Sequence, residues 1–180
     1  MTWCPNAFQA MVGILLKPVV ENDQANVFER ARFLAFLIHI VADLHQPLHT
    51  VSLYSPKHPE GDRGGNSYIV RYHNKVTNLH SLWDKGVGAF EGQANFSSVD
   101  KIATSLMHQY PKTYFGGRAD EVNVNVWVDE GMKNAKTVVY NTPEGQAVST
   151  AYIKAGEQLA EEEATLAGYR LANILNQLLG

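Results

Sequence analysis

Two copies of His-x-x-x-Asp, His39/Asp43 and His80/Asp84, are the residues of this chain best suited to do chemistry. On a helix, positions i and i+4 lie one turn apart on one face, so each imidazole and its carboxylate can touch one cation or neighbouring ones. His49 comes after Asp43, beyond Pro47, where the proline can bend the chain and return this imidazole to the same cavity. A single pair of this kind is ordinarily only a hydrogen bond or salt bridge on a helix surface. Here the first pair sits in one of the most apolar runs of the chain, where an unpartnered polar group is costly. With His49 and a glycine-rich stretch between the two copies, the balance moves towards a bound metal. Imidazole and carboxylate donors without thiolates suit zinc, in an open catalytic site more than in a closed structural one.

The other candidate groups read more plainly. His45 lies two residues after Asp43 and points to a different helical face, so a supporting or structural role suits it better than ligation. His58, His73 and His108 are expected at the surface, and Trp83 and Trp127 in the core. Taken alone, Gly64-Gly65-Asn66 reads as a turn. The chain has no His-Glu-x-x-His, no Gly-x-Ser-x-Gly, no phosphate-binding loop and no adjacent His-Asp pair.

Composition narrows the classes further. The 180 residues suffice for one domain with a sizeable core, and 45% apolar with 18% charged residues is ordinary globular usage. A net charge of -3 without a long basic run argues against a protein that grips duplex by neutralising many phosphates. Single strands and nucleotides remain open. The one cysteine, Cys4, excludes an internal disulfide and a cysteine zinc site. No segment approaches membrane-spanning length, and Ala10–Leu16, interrupted by Lys17-Pro18, makes a poor signal peptide. Asn95-Phe96-Ser97 fits a glycosylation acceptor, which matters only in a secreted chain.

The elements that must position these residues are mainly helical. A short helix is expected over Asn6–Leu16, then a long one from about Ala25 to Gln46. Apolar residues on every face of the long helix place it centrally and buried. Pro47 ends it, and Ser52–Asn66 is a loop. Ser67–Tyr72 alternates like a strand and His73-Asn74-Lys75 makes a turn, which predicts a small β-hairpin. Further helices are expected near Asn78–Asp84, Val99–Tyr110, Val122–Tyr140 and Thr150–Leu179, the last with an exposed acidic face around Glu157–Glu163. No repeat and no domain boundary is visible.

Taken in order, "RFLAFLIHIVADLHQPLH", "GDRGGN", "NLHSLWD" and the closing "AGYRLANILNQLLG" resemble the zinc-dependent S1/P1 nucleases. The resemblance covers most of residues 30–180 and is carried by the combination of motifs rather than by any one of them. It implies a mainly α single domain of the phospholipase C/P1 nuclease type with a small β-hairpin. This domain, residues 1–180, corresponds to the central and C-terminal part of such a nuclease. It implies three zinc ions in a cleft, cleavage of phosphodiester bonds in single-stranded DNA and RNA, and 3′-nucleotidase activity. Residue by residue, His49, His80 and Asp84 would hold the zinc that stands apart. His39 and Asp43 would serve the close pair, with Asp43 the bridging, catalytic carboxylate. Asn66, with Gly65 beside it, would meet the nucleobase. A protein nucleophile is not required, because zinc lowers the pKa of its water towards neutrality.

The front of the chain departs from that pattern. Met1-Thr2-Trp3-Cys4 does not match the family's N-terminal tryptophan and following histidine, and the further Asp and His expected ahead of the long helix are not found. The separate site is thus complete on paper, while the close pair has only His39 and Asp43. Truncation, a degenerate homologue or ligands supplied by another subunit would each account for this; truncation of a longer nuclease is the expectation that fits intact remaining motifs, with the chain alone weak or inactive. Two other readings remain: a phospholipase C-like zinc phosphodiesterase, and a non-catalytic helical module stabilised by zinc. Secretion or residence in a compartment is expected from the resemblance, although no signal peptide is visible here. No membrane and no obligate protein partner is indicated.

Overall fold

The computed structural model describes residues 24–92 and 95–179; the helix expected at Asn6–Leu16 lies outside them. Six α-helices appear among the described residues: α1 (Gln24–Leu44), α2 (Leu79–Trp83), α3 (Phe96–Gln109), α4 (Lys112–Phe115), α5 (Val124–Asn134) and α6 (Thr150–Leu179). A two-stranded antiparallel sheet, β1 (Ile69–Tyr72) with β2 (Lys75–Asn78), precedes α2. The fold is mainly helical with one small hairpin, as the sequence predicts. Among the described residues no helix is long and apolar enough to cross a membrane.

Helix α1 buries one face rather than all of them. Leu37, Val41 and Leu44, spaced by a turn, pack with Val124 and Trp127 of α5 and Ile174 of α6. Phe36 and Ile38, on the other faces, are 49% and 43% exposed, which corrects the expectation of a helix buried all round. The helix stops at Leu44, because Pro47 has no N–H and clashes with a continuing helical turn. Pro47–His49 instead forms one turn of 3-10 helix.

The hairpin is built by its turn. His73 and Asn74 both take positive φ, 47° and 62°, the conformation whose twist matches two antiparallel strands joined by two residues. Pairing of Tyr72 with Lys75 and of Ile69 with Asn78 sets the register. The strand is shorter than the Ser67–Tyr72 expected, because Tyr68 turns inward and donates its hydroxyl to the Thr142 carbonyl. Asn78 ends β2 and caps α2, its side chain accepting from the Ser81 N–H at 2.7 Å.

Three further expectations change. The helix expected over Val122–Tyr140 ends at Asn134 and widens into a π-helical turn, Ala135–Val139. Glu163 is buried beside Arg118 rather than on an exposed acidic face. His58 is not a surface residue: its side chain is mostly covered and pairs with Glu144 at 3.2 Å. Helix α6 begins and ends where the sequence places it, and its buried residues join three cores, Tyr152 beside the hairpin, Leu166 near α4 and Ile174 against α1.

Candidate metal centre

The turn that follows α1, from Gln46 to His49, meets the C-terminal end of α2 at Asp84. There His49, His80 and Asp84 each present one donor atom, and the three atoms lie within 4.8 Å of one another. His49 Nε2 is 3.3 Å from Asp84 Oδ1, and His80 Nε2 is 3.6 Å from Asp84 Oδ2. The two imidazole rings stack almost parallel, with centroids 4.9 Å apart. His80 and Asp84 arrive as the i, i+4 pair of one helical turn, whereas His49 is brought in by the bend at Pro47.

This donor set fits zinc. His80 Nδ1 lies 2.7 Å from the Gly64 carbonyl, and only a protonated nitrogen can donate to a carbonyl, so the lone pair sits on Nε2, the atom facing Asp84. His49 Nδ1 likewise faces the carboxylate of Asp43, at 3.5 Å, leaving Nε2 towards Asp84. Donors about 2.0–2.1 Å from a tetrahedral zinc stand about 3.4 Å apart, which is the scale of the separations here. The side chains of His49 and His80 are about three-quarters covered, while Asp84 is half exposed, so the centre opens to solvent on the carboxylate side.

The remaining candidates are placed as follows. Asp43 stands between two histidines, its Oδ2 3.2 Å from His39 Nε2 and 3.5 Å from His49 Nδ1. The His39 side chain is mostly exposed, on the open side of α1. Gly65 is buried, and its carbonyl accepts from the N–H groups of Tyr68 and His80. Asn66 is exposed at the loop, its amide donating to the Arg63 carbonyl at 2.9 Å. His45 is buried away from the cluster, between the Val41 carbonyl and Arg170. Trp83 and Trp127 are core residues.

Four supporting residues were not singled out in the sequence. Gln46 caps the Pro47–His49 turn and reaches Asp84. Asp62 is fully buried; its Oδ1 accepts from the Leu53 N–H and Ser52 hydroxyl, and its Oδ2 from Tyr140. Burial, then the neighbouring Asp62 carboxylate, pushes the Tyr140 hydroxyl far above its ordinary pKa, so it stays a donor. This clamp holds the loop that carries Gly64, where a Cβ would collide with the Leu48 carbonyl. Gly131 of α5 lets the Thr50 side chain approach, since a Cβ there would meet Thr50 Oγ1 at 2.6 Å. A glycine inside a helical pattern, otherwise unfavourable, was the one available signal for this contact.

The chain is mainly helical and gathers His49, His80 and Asp84 into one group that could hold a metal ion. The profile of the S1/P1 nuclease family matches residues 10–180, and the chain belongs to that family. Nuclease S1 of Aspergillus oryzae is 30% identical over 183 residues, covering 93% of this chain and 59% of that protein. Endonuclease 3 of Arabidopsis thaliana is 27% identical over 187 residues, 98% of this chain and 61% of its own length. Endonuclease 4 of the same plant is 28% identical, over 81% of this chain and 50% of its length. The chain thus spans half to three-fifths of the relatives it matches.

Proposed function

We propose that this chain carries the zinc-binding part of a hydrolase that cuts phosphodiester bonds in single-stranded DNA and RNA and removes 3′-phosphates from nucleotides. The observation that supports it is the convergence of His49, His80 and Asp84 at a half-open site in a chain of the S1/P1 nuclease family. Relatives named nuclease and endonuclease lend the reaction class.

In this reading the 180 residues form a single domain in which His49, His80 and Asp84 hold one zinc. His39 and Asp43 would help to hold the further zinc ions, with Asp43 as the catalytic carboxylate. When bound, zinc supplies Lewis acidity and a nucleophile from water at neutral pH. The chain's own groups orient and bind: the Gly64 carbonyl holds the His80 tautomer, and Asp43 holds that of His49. Asn66, exposed beside buried Gly65, offers a carboxamide to a base edge. Bases of a single strand are free to reach such a group, whereas those of a duplex are paired and stacked. Among the described residues His39 and Asp43 do not by themselves complete a four-coordinate site, so weak cleavage is expected of these 180 residues. Secretion or a compartment suits the family.

The test is zinc content after exhaustive dialysis, followed by assays on single-stranded DNA, duplex DNA, a 3′-nucleotide and phosphatidylcholine, with and without chelator. The expected result is about one zinc per chain and weak, chelator-sensitive cleavage that favours single strands. Preferential hydrolysis of phosphatidylcholine would instead make it a phospholipase C-like enzyme. Zinc binding with no hydrolysis of any substrate would leave a zinc-stabilised module.

A further inference from the structure

One side chain touches both arms of the metal centre without being a ligand. Gln46 Oε1 accepts from the Leu48 N–H at 2.6 Å, and its Nε2 donates to Asp84 Oδ1 at 2.9 Å. The two ends cannot be exchanged. Leu48 N–H is a donor and needs the carbonyl oxygen, while the Asp84 carboxylate is an acceptor and needs the amide. The first bond caps the 3-10 turn Pro47–His49, whose last residue is the ligand candidate His49. The second acts on a residue 38 positions away, the carboxylate at the C-terminal end of α2.

Asp84 needs such a hold. It is half exposed, and its neighbours within the cluster are imidazoles whose attraction for it weakens when they are neutral. A short carboxylate at a helix end, left without a fixed partner, turns between rotamers and loses aim. The amide takes Oδ1, which also faces His49 Nε2 at 3.3 Å, and leaves Oδ2 turned to His80 at 3.6 Å. Glutamate and serine each lose one of the two tasks. Glutamate keeps the cap but sets a carboxylate against Asp84, and serine keeps the cap but is too short to span to α2.

We propose that Gln46 is a positioning residue of the metal centre, coupling the aim of His49 to the orientation of Asp84. This rests on the zinc reading above. Outer groups that orient metal ligands typically support affinity by about 10- to 100-fold, and that is the effect expected of Gln46.

The test uses the full 180-residue chain, zinc alone as the probe, and competition with a chromogenic chelator. Gln46→Ala removes both hydrogen bonds, whereas Gln46→Ser retains an acceptor for the Leu48 N–H and loses only Asp84. Thermal unfolding of the metal-free proteins is recorded in parallel. The expected result is that both variants bind zinc about 10- to 100-fold more weakly, with Gln46→Ser unfolding near the wild-type temperature. Cobalt substitution should give a visible absorption spectrum altered in both. Wild-type zinc affinity in Gln46→Ser, with loss only in Gln46→Ala, would reduce Gln46 to a turn cap and overturn the inference. Unchanged affinity in both would overturn it too, leaving the metal reading intact. Failure of the wild-type chain to bind zinc would remove the metal reading and this inference together.

Discussion

Arg170 Nη1 lies 2.9 Å from His45 Nε2, across 125 residues of sequence and inside the core. The contact requires a neutral imidazole: His45 donates from Nδ1 to the Val41 carbonyl at 2.7 Å and accepts from the guanidinium at Nε2. Arg170 is fully buried and is compensated by Glu130 at 2.8 Å, by the Arg118 carbonyl and by the face of Trp127. A buried cation with so many partners joins the C-terminal end of α1 to α5 and α6, directly beside the turn that carries Gln46 and His49. Removing any one partner leaves a charge underpaired, which is far costlier than the net worth of the pair.

This contact sets a pH dependence. Burial, and then the positive charge of Arg170, lowers the His45 pKa from 6.5 to about 4. The unfolded chain therefore binds a proton below pH 6.5 that the folded chain refuses until about pH 4, so stability falls as pH falls through that window. Denaturant titrations of metal-free protein should show about 2–3 kcal/mol lost from this group between pH 7 and 4.5. Glu163, raised mainly by burial, acts in the opposite direction, but equally in any variant that leaves it in place. The difference in slope between wild type and His45→Gln isolates the histidine. Parallel slopes would show that His45 does not titrate as described.

Zinc should stabilise the folded chain by mass action, by about 2.7 kcal/mol when free zinc is 100 times its Kd. Chelator should lower the melting temperature of the wild type and leave His80→Ala and Asp84→Asn almost unmoved. A chelator shift that persists in both variants would place the ion elsewhere.

Gly131→Ala pits two effects against each other. Alanine improves the helix by about 1 kcal/mol, but its Cβ would sit 2.6 Å from Thr50 Oγ1. Overpacking of this kind costs about 1–3 kcal/mol, so a net loss is expected, accompanied by weaker zinc binding because Thr50 adjoins His49. Gly131→Ala combined with Thr50→Ala should recover most of the loss. If the single variant proves more stable than wild type, the contact is looser than described.

Tyr140→Phe removes one of the donors to the buried Asp62 carboxylate, at 2.7 Å. Hydrogen bonds to charged groups contribute about 1.5–3 kcal/mol, and a loss in that range is expected in urea unfolding. Zinc affinity should fall as well, since Asp62 pins the loop whose Gly64 carbonyl orients His80. A change below about 0.5 kcal/mol would show that Asp62 is satisfied without the tyrosine.

Local sequence determined more of this protein than its residue types suggest. The i, i+4 geometry alone brings His80 beside Asp84, and His39 beside Asp43. Pro47 stopping α1, the positive-φ turn at His73-Asn74 and the span of α6 are likewise consequences of neighbours along the chain. Tertiary structure decided what depends on distant partners. It chose which face of α1 is buried, made Glu163 and His58 internal by giving them Arg118 and Glu144, and brought His49 to Asp84 across 35 residues. It also gave Gln46, Asp62, Gly131 and Arg170 their supporting roles. A side chain's propensity is written in its own chemistry and nearest neighbours, but its desolvation and its hydrogen-bond partner exist only once remote segments pack against it.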